Sequence, residues 1–540
     1  MSLAIENLKF VIFGAGHDYT LADSGDGEVQ VFSHPFVPLN SVNYAGQWFF
    51  LVPDEQGDPM DCVKDDLAHC TFTPALGSTF STEGEVTVEC HYHREYIYPE
   101  ETLVVDKTVT QKITVVDHGT VSSSQTYGDI YTDGYLFLRP RYTNSVETDI
   151  RYLLFGNPTK VSSFPWRGKA LYTTVSPSYN AQNLTDITEW EYGDTSEMDE
   201  ISGILYNSPD LDLKSISEWD ISNVVTLNAV FQLSRISSFK PLAMWNLSSV
   251  EFLNRIFNYS KANSLEGVEK WNVKKVKDLN SAFAGMENIT SLEPLSEWEF
   301  ENLEDMGYTF CDLKVSSLHG VENWNVSTVT DLIYAVANNP NLTDLLPLAL
   351  WDCKPVYMNG FAYNVPNLHD YKGLENIDFS ECTTLASAFS YDTYVTSLEG
   401  LEDKDTSKVT DFSYCFAGDY WLGDISAIDG WSFESASTVN MMFLGNASLN
   451  AINVVFDLSA VGTTEGMFNS GNLYYSTTIS KTVREDQYWY YDYEGNRYAK
   501  TGIVVGSPYP KDASGANAWT VSGTGLNIFS DAWSNRPAWN

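Results

Sequence analysis

The chain has 540 residues, of which 43% are hydrophobic and 14% aromatic. This composition is typical of a folded protein with large apolar cores and argues against a disordered chain. The 72 acidic and 31 basic residues give a formal net charge of −41. Because nucleic acids and anionic membrane surfaces are both bound through Lys and Arg, this charge argues against either as a partner.

The seven cysteines and the N-terminus also restrict the class of protein. The cysteine count is odd, the spacing is irregular and no CxxC pair occurs, so we expect no disulfide framework. The first residues lack the basic segment and long apolar run of a secretory signal. No run of about 18 apolar residues occurs, and we therefore expect no membrane insertion.

Residues 1–150 are rich in strand signals and form the first predicted domain. Short β-branched or aromatic runs are separated by Gly, Pro, Asp and Asn. These runs are Phe10–Phe13, Val29–Phe32, Trp48–Val52, Val86–Cys90, Thr102–Val105 and Ile113–Val116. Their alternating apolar residues favour an immunoglobulin-like β-sandwich, which we interpret as a docking domain.

This domain also contains residue types that bind metals. The candidate zinc ligands are Cys62, His69, Cys70, Cys90, His91 and His93. On a strand, His91 and His93 would share one face while Cys90 points to the other, whereas a zinc site needs converging ligands. The segment Asp23–Glu28 lacks the spacing of an EF-hand and is interpreted as an acidic turn. We therefore predict no metal and no cofactor.

Residues 151–212 are predicted to be a connector followed by an N-terminal cap. Periodicity is weak here, and Pro-containing loops such as 162–166 and 175–179 interrupt it. Trp190 and Ile201 are assigned to a degenerate first copy of the pattern that follows. A repeat array needs such a terminal copy to cover its apolar end.

One pattern recurs ten times between residues 213 and 468. Its template is LxxLxxWxVxxVxxLxxxF, and the Trp positions follow one another at intervals of 25 to 27 residues. Equivalent positions of successive copies form columns, and a fixed period of this length indicates a repeat array in which each copy stacks on its neighbours. The Trp column comprises Trp219, Trp245, Trp271, Trp298, Trp324, Trp351, Ile377, Lys404, Trp431 and Phe456.

The columns are predicted to form the core of the array, because no single copy can bury its own apolar face. The core residues singled out are Trp219, Trp245, Trp271, Trp298, Trp324, Trp351, Trp431, Phe283, Phe389 and Phe416. The segment around each Trp is predicted to be extended, and the segment of type Val-Thr-Asp-Leu-x-x-Ala-Phe to be a helical turn or two. We expect looser packing where Ile377, Lys404 and Val336 replace the preferred residues.

The block Trp324–Leu332 and its counterpart Trp219–Leu227 resemble the BspA-like leucine-rich repeats, a 26-residue repeat of bacterial surface proteins. The resemblance covers residues 213–468. It implies a leucine-rich-repeat-like solenoid and a surface-binding or adhesion role, and it implies no catalytic residues. The fold class is therefore mainly β with short helical turns, comprising the N-terminal sandwich, the solenoid and a C-terminal region.

Two groups of residues are candidates for ligand binding. Acidic residues lie just ahead of the Trp column, at Glu269, Glu297, Glu322, Glu375 and Glu402, although a solvated face is the simpler interpretation. The C-terminal region 469–540, a predicted aromatic cap or tip domain, contributes Tyr488, Trp489, Trp519 and Trp533. Exposed aromatic residues suit glycan stacking or a protein interface.

The chain lacks a nucleophile elbow, a phosphate loop and an HExxH motif, so we predict that it is not an enzyme. The preferred hypothesis is a bacteriophage virion structural protein, a head or tail fibre or a capsid decoration, located on the virion surface after synthesis in the host cytoplasm. Residues 1–150 would contact virion proteins, and the solenoid or the C-terminal region would bind a bacterial surface protein or glycan. An oligomer is compatible with this role. The alternatives are a secreted cell-surface adhesin and, less favoured, a carbohydrate-active enzyme with paired carboxylates.

Overall fold

The computed structural model divides the chain into two compact units, Met1–Ser249 and Val250–Asn540. It describes residues 198–449 without interruption and most of residues 69–138. The remaining described residues are 10–12, 36–42, 48–50, 63–64, 149–150, 154, 156–162, 170–172, 180–192, 195, 454, 456, 458, 460–464, 467, 477–480, 489–491, 497–499 and 519–522.

The described residues are mainly β, which confirms the predicted class. The strands are β1 Phe10–Ile12, β2 Phe36–Pro38, β3 Trp48–Phe50, β4 Val63–Lys64, β5 Cys70–Thr73, β6 Gly84–Ile97, β7 Thr102–Val116, β8 Val121–Gln125, β9 Gly128–Tyr131, β10 Tyr135–Leu138, β11 Asp149–Ile150, β12 Lys160–Val161, β13 Ala170–Tyr172, β14 Glu200–Ser202, β15 Thr477–Ser480, β16 Trp489–Tyr491, β17 Arg497–Ala499 and β18 Trp519–Ser522. Within the described part of the chain no helix reaches seven residues. The 3₁₀ helices are Thr188–Tyr192, Leu213–Ile216, Lys240–Leu242, Glu293–Leu295, Leu346–Leu348, Phe379–Glu381 and Ser426–Ile428.

Two four-stranded sheets of the first unit share one apolar core. One sheet has the order β2-β7-β6-β5 and the other β12-β10-β9-β8. The long hairpin β6–β7 is antiparallel throughout, from the pair Gly84–Val115 to the pair Ile97–Thr102. Alternate residues of both sheets point inward, as expected for strands with one buried face. This core comprises Val37, Phe80, Val88, Ile113, Val115, Tyr131, Tyr135 and Phe137.

The second of these sheets continues into the repeats of the first unit through parallel pairing. Lys160 pairs with Tyr135 of β10 on one side and with Asp186 on the other. Further along, the buried Trp190 stacks on Trp219 with ring centroids 6.1 Å apart. Pairing between neighbouring copies therefore begins well before residue 213, which is where the clear sequence pattern starts.

The second unit contains a ladder of parallel contacts between successive copies. The paired residues are Phe252, Asp278, Asp305, Asp331, Tyr357, Thr384, Asp411, Thr438 and Thr463. Along this ladder, every second main-chain N–H donates to a carbonyl of the next copy. The N–H of Leu279 donates to the carbonyl of Asp305 at 2.9 Å, and that of Ser281 to the carbonyl of Gly307 at 2.8 Å. Between these bonds the chain closes turns, and Ser281 has a positive φ of 57°.

The predicted position of the helical turns was wrong. The segment after each Trp carries the ladder between copies, and most of the 3₁₀ helices precede the Trp column, as at Glu293–Leu295. The helix Phe379–Glu381 instead begins two residues after Ile377 and ends before the ladder residue of its copy. The apolar spacing of three residues that suggested a helix is also produced by consecutive turns closed by i to i+3 bonds, such as Ala282 to Leu279. A helix cannot continue through a residue with positive φ, and Ser281, Tyr308 and Tyr334 all have one.

The sixth copy is one residue shorter than its neighbours in the segment after Trp351. Its ladder residue, Tyr357, follows the Trp column by six positions, whereas Asp331 follows Trp324 by seven. In other copies the aromatic residue that ends the template, such as Phe283 or Phe389, lies twelve positions after the Trp column and five after the ladder residue. The template predicts Tyr363 at this position of the sixth copy, but the shorter segment places the buried Ala362 there, so that prediction was wrong. Tyr363 is half-buried and packs against Tyr334 outside the column.

Candidate functional site

The Trp column is a buried scaffold. The structure leaves at most 5% of any predicted core residue exposed, and these are Trp219, Trp245, Trp271, Trp298, Trp324, Trp351, Trp431, Phe283, Phe389 and Phe416. The indoles of Trp245, Trp298, Trp324, Trp351 and Trp431 each donate to the carbonyl three residues before the preceding Trp-column position, and that of Trp219 donates to the carbonyl of Trp190. For Trp298 the acceptor is Val268, at 2.9 Å, and for Trp324 it is Leu295, at 3.1 Å. The column therefore stabilises the array through both stacking and hydrogen bonds.

Lys404 occupies the Trp column without loosening it. Its side chain is only 7% exposed, and its ammonium donates to the carbonyls of Leu374, Glu375 and Ile377 at 2.6, 2.8 and 2.8 Å. The ammonium also lies 5.3 Å from the ring centroid of Phe379, a cation–π contact. Burial lowers the pKa of Lys404 below its usual value, and the nearby acidic groups oppose that shift. The expected loosening at this copy and at the buried Ile377 is not seen.

Four of the five candidate glutamates ahead of the Trp column cap turns. In each case one carboxylate oxygen accepts the N–H of a glycine two residues earlier, at 2.7 to 2.8 Å. The pairs are Glu269 with Gly267, Glu322 with Gly320, Glu375 with Gly373 and Glu402 with Gly400. The fifth, Glu297, forms an exposed ion pair with Lys270. These contacts give the glutamates a structural role, and their role in ligand binding stays a prediction.

The aromatic tail contributes little to a site that can be described. Trp489 and Trp519 begin β16 and β18, but their side chains lie outside the described residues. Tyr488 and Trp533 also lie outside them. The C-terminal ligand surface therefore stays a prediction.

The metal candidates of the first unit fall partly outside the described residues. This applies to Cys62, to the side chains of Cys70 and Cys90, and to the segment 23–28. His91 and His93 do share one face of β6, because both reach Asp106 of β7, at 2.7 and 3.1 Å. No group of three metal-ligating side chains occurs among the described residues. Within the same residues, no helix is long and apolar enough to span a membrane.

Four free cysteines are buried within the repeats of the second unit: Cys311, Cys353, Cys382 and Cys415. Burial raises the pKa of the thiols of Cys311, Cys353 and Cys382 to about 12. A thiol at that pKa holds almost no thiolate at neutral pH and is chemically inert.

Two groups stand out among the exposed and half-buried aromatic residues of the second unit, and the first is a tyrosine row. Its members are Tyr308, Tyr334, Tyr363 and Tyr391, whose successive ring centroids are 5.1, 5.8 and 5.4 Å apart. Gly360 lies beneath the ring of Tyr334 and Gly418 beneath that of Tyr391, where a Cβ atom would collide. The rings thus cover one another and the backbone, and the row mainly offers its edges to a ligand.

The second group, which we call the aromatic platform, consists of Tyr394, Tyr420 and Trp421. These side chains are 49%, 51% and 51% exposed. Tyr420 and Trp421 meet edge to face, with centroids 5.5 Å apart and an interplanar angle of 77°. Such a contact leaves indole surface open, so the platform is the better candidate for stacking on a ligand.

A buried polar ladder supports the platform from below. The side chain of Asp392 accepts the N–H of Val365 at 2.7 Å, that of Asp419 accepts the N–H of Asp392 at 2.9 Å, and that of Asn446 accepts the N–H of Asp419 at 3.1 Å. Asp392 and Asp419 directly precede the two platform turns, at Thr393-Tyr394 and Tyr420-Trp421. The ladder therefore fixes the backbone on which the aromatic side chains stand.

The two aspartates of this ladder are fully buried, and burial raises the pKa of both carboxyls well above the usual range. Repulsion from Asp392 raises the pKa of Asp419 further. The hydroxyl of Tyr371 donates to Asp392 at 3.0 Å, while Oδ2 of Asp419 has no hydrogen-bond partner in the described structure. Asp419 is the member less suited to carry a charge.

The sequence pattern alone does not single out the aromatic platform. Its residues follow a polar position that contains Asn339, Asp392, Asp419 and Asn446 in different copies. That column was overlooked because it is polar, although recurring Asp and Asn at one repeat position are a signal for a buried hydrogen-bond ladder. The adjacent Tyr-Trp pair at 420–421 breaks the repeat pattern and was the available clue.

Comparison with known protein families gives a match over the repeats. The profile of a family described as "Mycoplasma protein of unknown function, DUF285" matches residues 172–292, 233–348, 278–394 and 383–486. No curated protein matches the chain. The overlapping family matches span residues 172–486, more than half of the 540 residues, and include the copies before residue 213 that the parallel pairing indicates. The chain therefore belongs to this DUF285 family.

Proposed function

We propose that this protein is a non-enzymatic binding protein in which the repeats present exposed aromatic side chains to a bacterial surface component. The observation that carries the proposal is the aromatic platform, where a Trp and two Tyr side chains stand exposed on a rigid, hydrogen-bonded support. Binding energy in recognition surfaces is concentrated in such aromatic residues. The repeat core below them consists mainly of apolar and main-chain contacts, together with the buried aspartate ladder and Lys404, as expected of a scaffold.

The finer architecture is part of the proposal. The parallel ladder with a period of 25 to 27 residues supports a leucine-rich-repeat-like solenoid of the BspA type. The two sheets that share a core support a β-sandwich for the head, and the immunoglobulin-like identity of that sandwich is proposed on the same ground.

The first setting proposed for this binding protein is the surface of a bacteriophage virion. The head would attach the chain to the particle, and the repeats would contact the host. The feature that supports this setting is an adhesin-type repeat that follows a strand-rich head.

A secreted bacterial adhesin is the second candidate, and one observation favours it. The matching family is described as a mycoplasma protein, and a mycoplasma is a cell rather than a virus. The same aromatic platform would then act in adhesion to a neighbouring cell or matrix.

Locating the full-length chain distinguishes these two settings. If the virion proposal is correct, mass spectrometry of phage particles purified through a density gradient will detect the chain at a fixed ratio to the capsid protein, and antibodies against it will label particles. Detection on intact bacterial cells, in a longer precursor with a cleaved signal peptide, contradicts the virion setting and supports the adhesin. Detection only in the cytosol contradicts both.

A further inference from the structure

The aromatic platform contains an unusually exposed tryptophan. Trp421 is 51% exposed, whereas the other tryptophans with described side chains are at most 5% exposed. Burying such a ring is strongly favourable, so an exposed one is a source of binding energy for a partner that can cover it.

The surroundings of Trp421 combine a glycine, which adds no side chain, with exposed polar groups. Its main-chain N–H donates to the carbonyl of Thr393, which places Trp421 next to the Thr393–Tyr394 peptide of the neighbouring copy. Gly423 lies two residues further on the same exposed face, and the nearest atom to a Cβ there would be 3.7 Å away. Beside it, Thr396 and Asp424 are exposed.

These groups match the chemistry of a pyranose ring. A sugar presents a face of C–H groups, which carry a slight positive charge and are attracted to the negative face of an aromatic ring. Its hydroxyls can donate hydrogen bonds to a carboxylate, which Asp424 provides. They can also donate to, or accept from, a hydroxyl, which Thr396 provides. Because Gly423 has no side chain, nothing projects from this position towards such a ring.

The negative charge of the site and of the whole chain restricts the class of glycan that can bind. The exposed carboxylate of Asp424 and the net charge of −41 repel polymers that carry carboxylate, sulfate or phosphate groups. The described residues beside the platform include Thr393, Thr396, Gly423, Asp424 and Ser448. None of these five has the exposed aliphatic side chain that a protein partner would cover. We propose that Tyr394, Tyr420 and Trp421 form a binding site for neutral pyranose units of a glycan. This inference rests on the proposed binding function and names its ligand class.

The polar ladder makes the site rigid before a ligand arrives. The main-chain N–H groups of Asp392 and Asp419, at the start of the two platform turns, donate to the side chains of Asp419 and Asn446 in the next copies, at 2.9 and 3.1 Å. Because the backbone is already fixed, binding orders few groups and retains more of its favourable energy.

The test uses the full chain and a set of soluble hexasaccharides. Wild type, Trp421→Ala and Tyr357→Ala would be titrated by calorimetry with maltohexaose, cellohexaose, xylohexaose and, as an anionic probe, hexagalacturonate. Tyr357 is the matched control, because it is a 46% exposed aromatic residue at a different column of the repeat. We expect at least one neutral probe to bind wild type and Tyr357→Ala equally, Trp421→Ala to bind it at least tenfold more weakly, and the anionic probe not to bind.

Several results would overturn the inference. These are no binding of any neutral probe by wild type, equal loss in Tyr357→Ala, or preferential binding of hexagalacturonate. Circular dichroism would verify that Trp421→Ala is folded, and Trp421→Phe, which keeps a ring, should recover part of the affinity. If the chain is found on particles or cells but Trp421→Ala binds like wild type, the ligand assignment fails while the proposed function stands. If Trp421-dependent binding occurs in a chain found only in the cytosol, the surface function fails instead.

Discussion

Lys404 illustrates how a single residue can satisfy a column that was built for tryptophan. The indole of a Trp in this column donates one hydrogen bond to the preceding copy, whereas the ammonium of Lys404 donates three. A buried ammonium is costly unless its protons are bonded, and here three main-chain carbonyls accept them. The site therefore tolerates a charge without a carboxylate partner in direct contact.

Replacing Lys404 with Met tests this account. Methionine is similar in length but cannot donate, so three carbonyls would lose their donor, and we expect the free energy of unfolding to fall by about 3 kcal/mol. Urea denaturation measures this change. Lys408→Met is the control, since Lys408 forms an exposed ion pair with Glu381 and should change stability by less than about 1 kcal/mol. Equal effects would mean that the buried ammonium contributes nothing specific.

At the scale of one element, the turn ahead of the Trp column exists in two forms. One form is a 3₁₀ helix, which contains Pro in Leu346–Leu348, and the other has Gly at positive φ, as at Gly373. In the glycine form the backbone approaches the carbonyl of the preceding copy so closely that a Cβ on Gly373 would overlap the oxygen of Leu345. The alternation of Pro and Gly at this column, from Pro241 to Gly373, is visible in the sequence and has this steric cause.

Two glycine substitutions separate the cost of the backbone angle from the cost of the close approach. Gly373 and Gly430 have similar φ values, 106° and 98°, but a Cβ on Gly430 would meet nothing within 4 Å. We expect Gly430→Ala to cost about 1 kcal/mol from strain and Gly373→Ala at least about 3 kcal/mol, because the copies must move apart. Thermal and urea unfolding would measure both. If the two variants lose the same stability, close approach is not the reason for glycine at 373.

The aspartate ladder gives stability a predictable dependence on pH. The pKa of Asp419 is raised by folding above its ordinary value of 3.8. Its favourable contribution is therefore complete below about pH 3.8, declines as pH rises, and is lost above the folded pKa. In Asp419→Asn the side chain still offers an amide oxygen as a hydrogen-bond acceptor, as the side chain of Asn446 does one copy later. The substitution removes the ionisable group.

We expect Asp419→Asn to be more stable than wild type at pH 8 by about 1–3 kcal/mol, with the difference shrinking towards pH 4. Urea unfolding at both pH values measures it. Asp352→Asn, which changes an exposed aspartate in another copy, is the matched control, and an equal gain in that variant would contradict the role of burial at Asp419. A gain in Asp419→Asn that is constant with pH would indicate better packing rather than removal of a buried ionisable group.

At the scale of the whole molecule, the sequence predicted the period, the columns and the mainly β class, because stacked copies must repeat their apolar positions. It did not predict where the chain turns. Three-residue spacing fits both a helix and consecutive turns, and only the positive φ of residues such as Ser281 separates them. The sequence also did not reveal that the sixth copy is one residue shorter. Tyr363 fits an aromatic column, whereas the neighbouring Ala362, which fills the position, gives no such signal.

The site was harder to predict than the fold, for a physical reason. Conspicuous residues such as Trp271 and Glu322 are conspicuous because they recur, and they recur because every copy needs them for packing or turns. A ligand surface needs no repetition, so Trp421 occurs once and breaks the pattern. Residues that depart from the repeat, rather than those that define it, therefore deserve first consideration in such arrays.

The four inert thiols have a practical consequence. Cys311, Cys353, Cys382 and Cys415 lie in four different copies and are hidden until those copies open. An alkylating reagent will therefore mark each copy at the moment of its exposure, and peptide mass spectrometry will assign a separate rate to each. Comparing the four alkylation rates can therefore show whether the repeats open together or fray in order from one end.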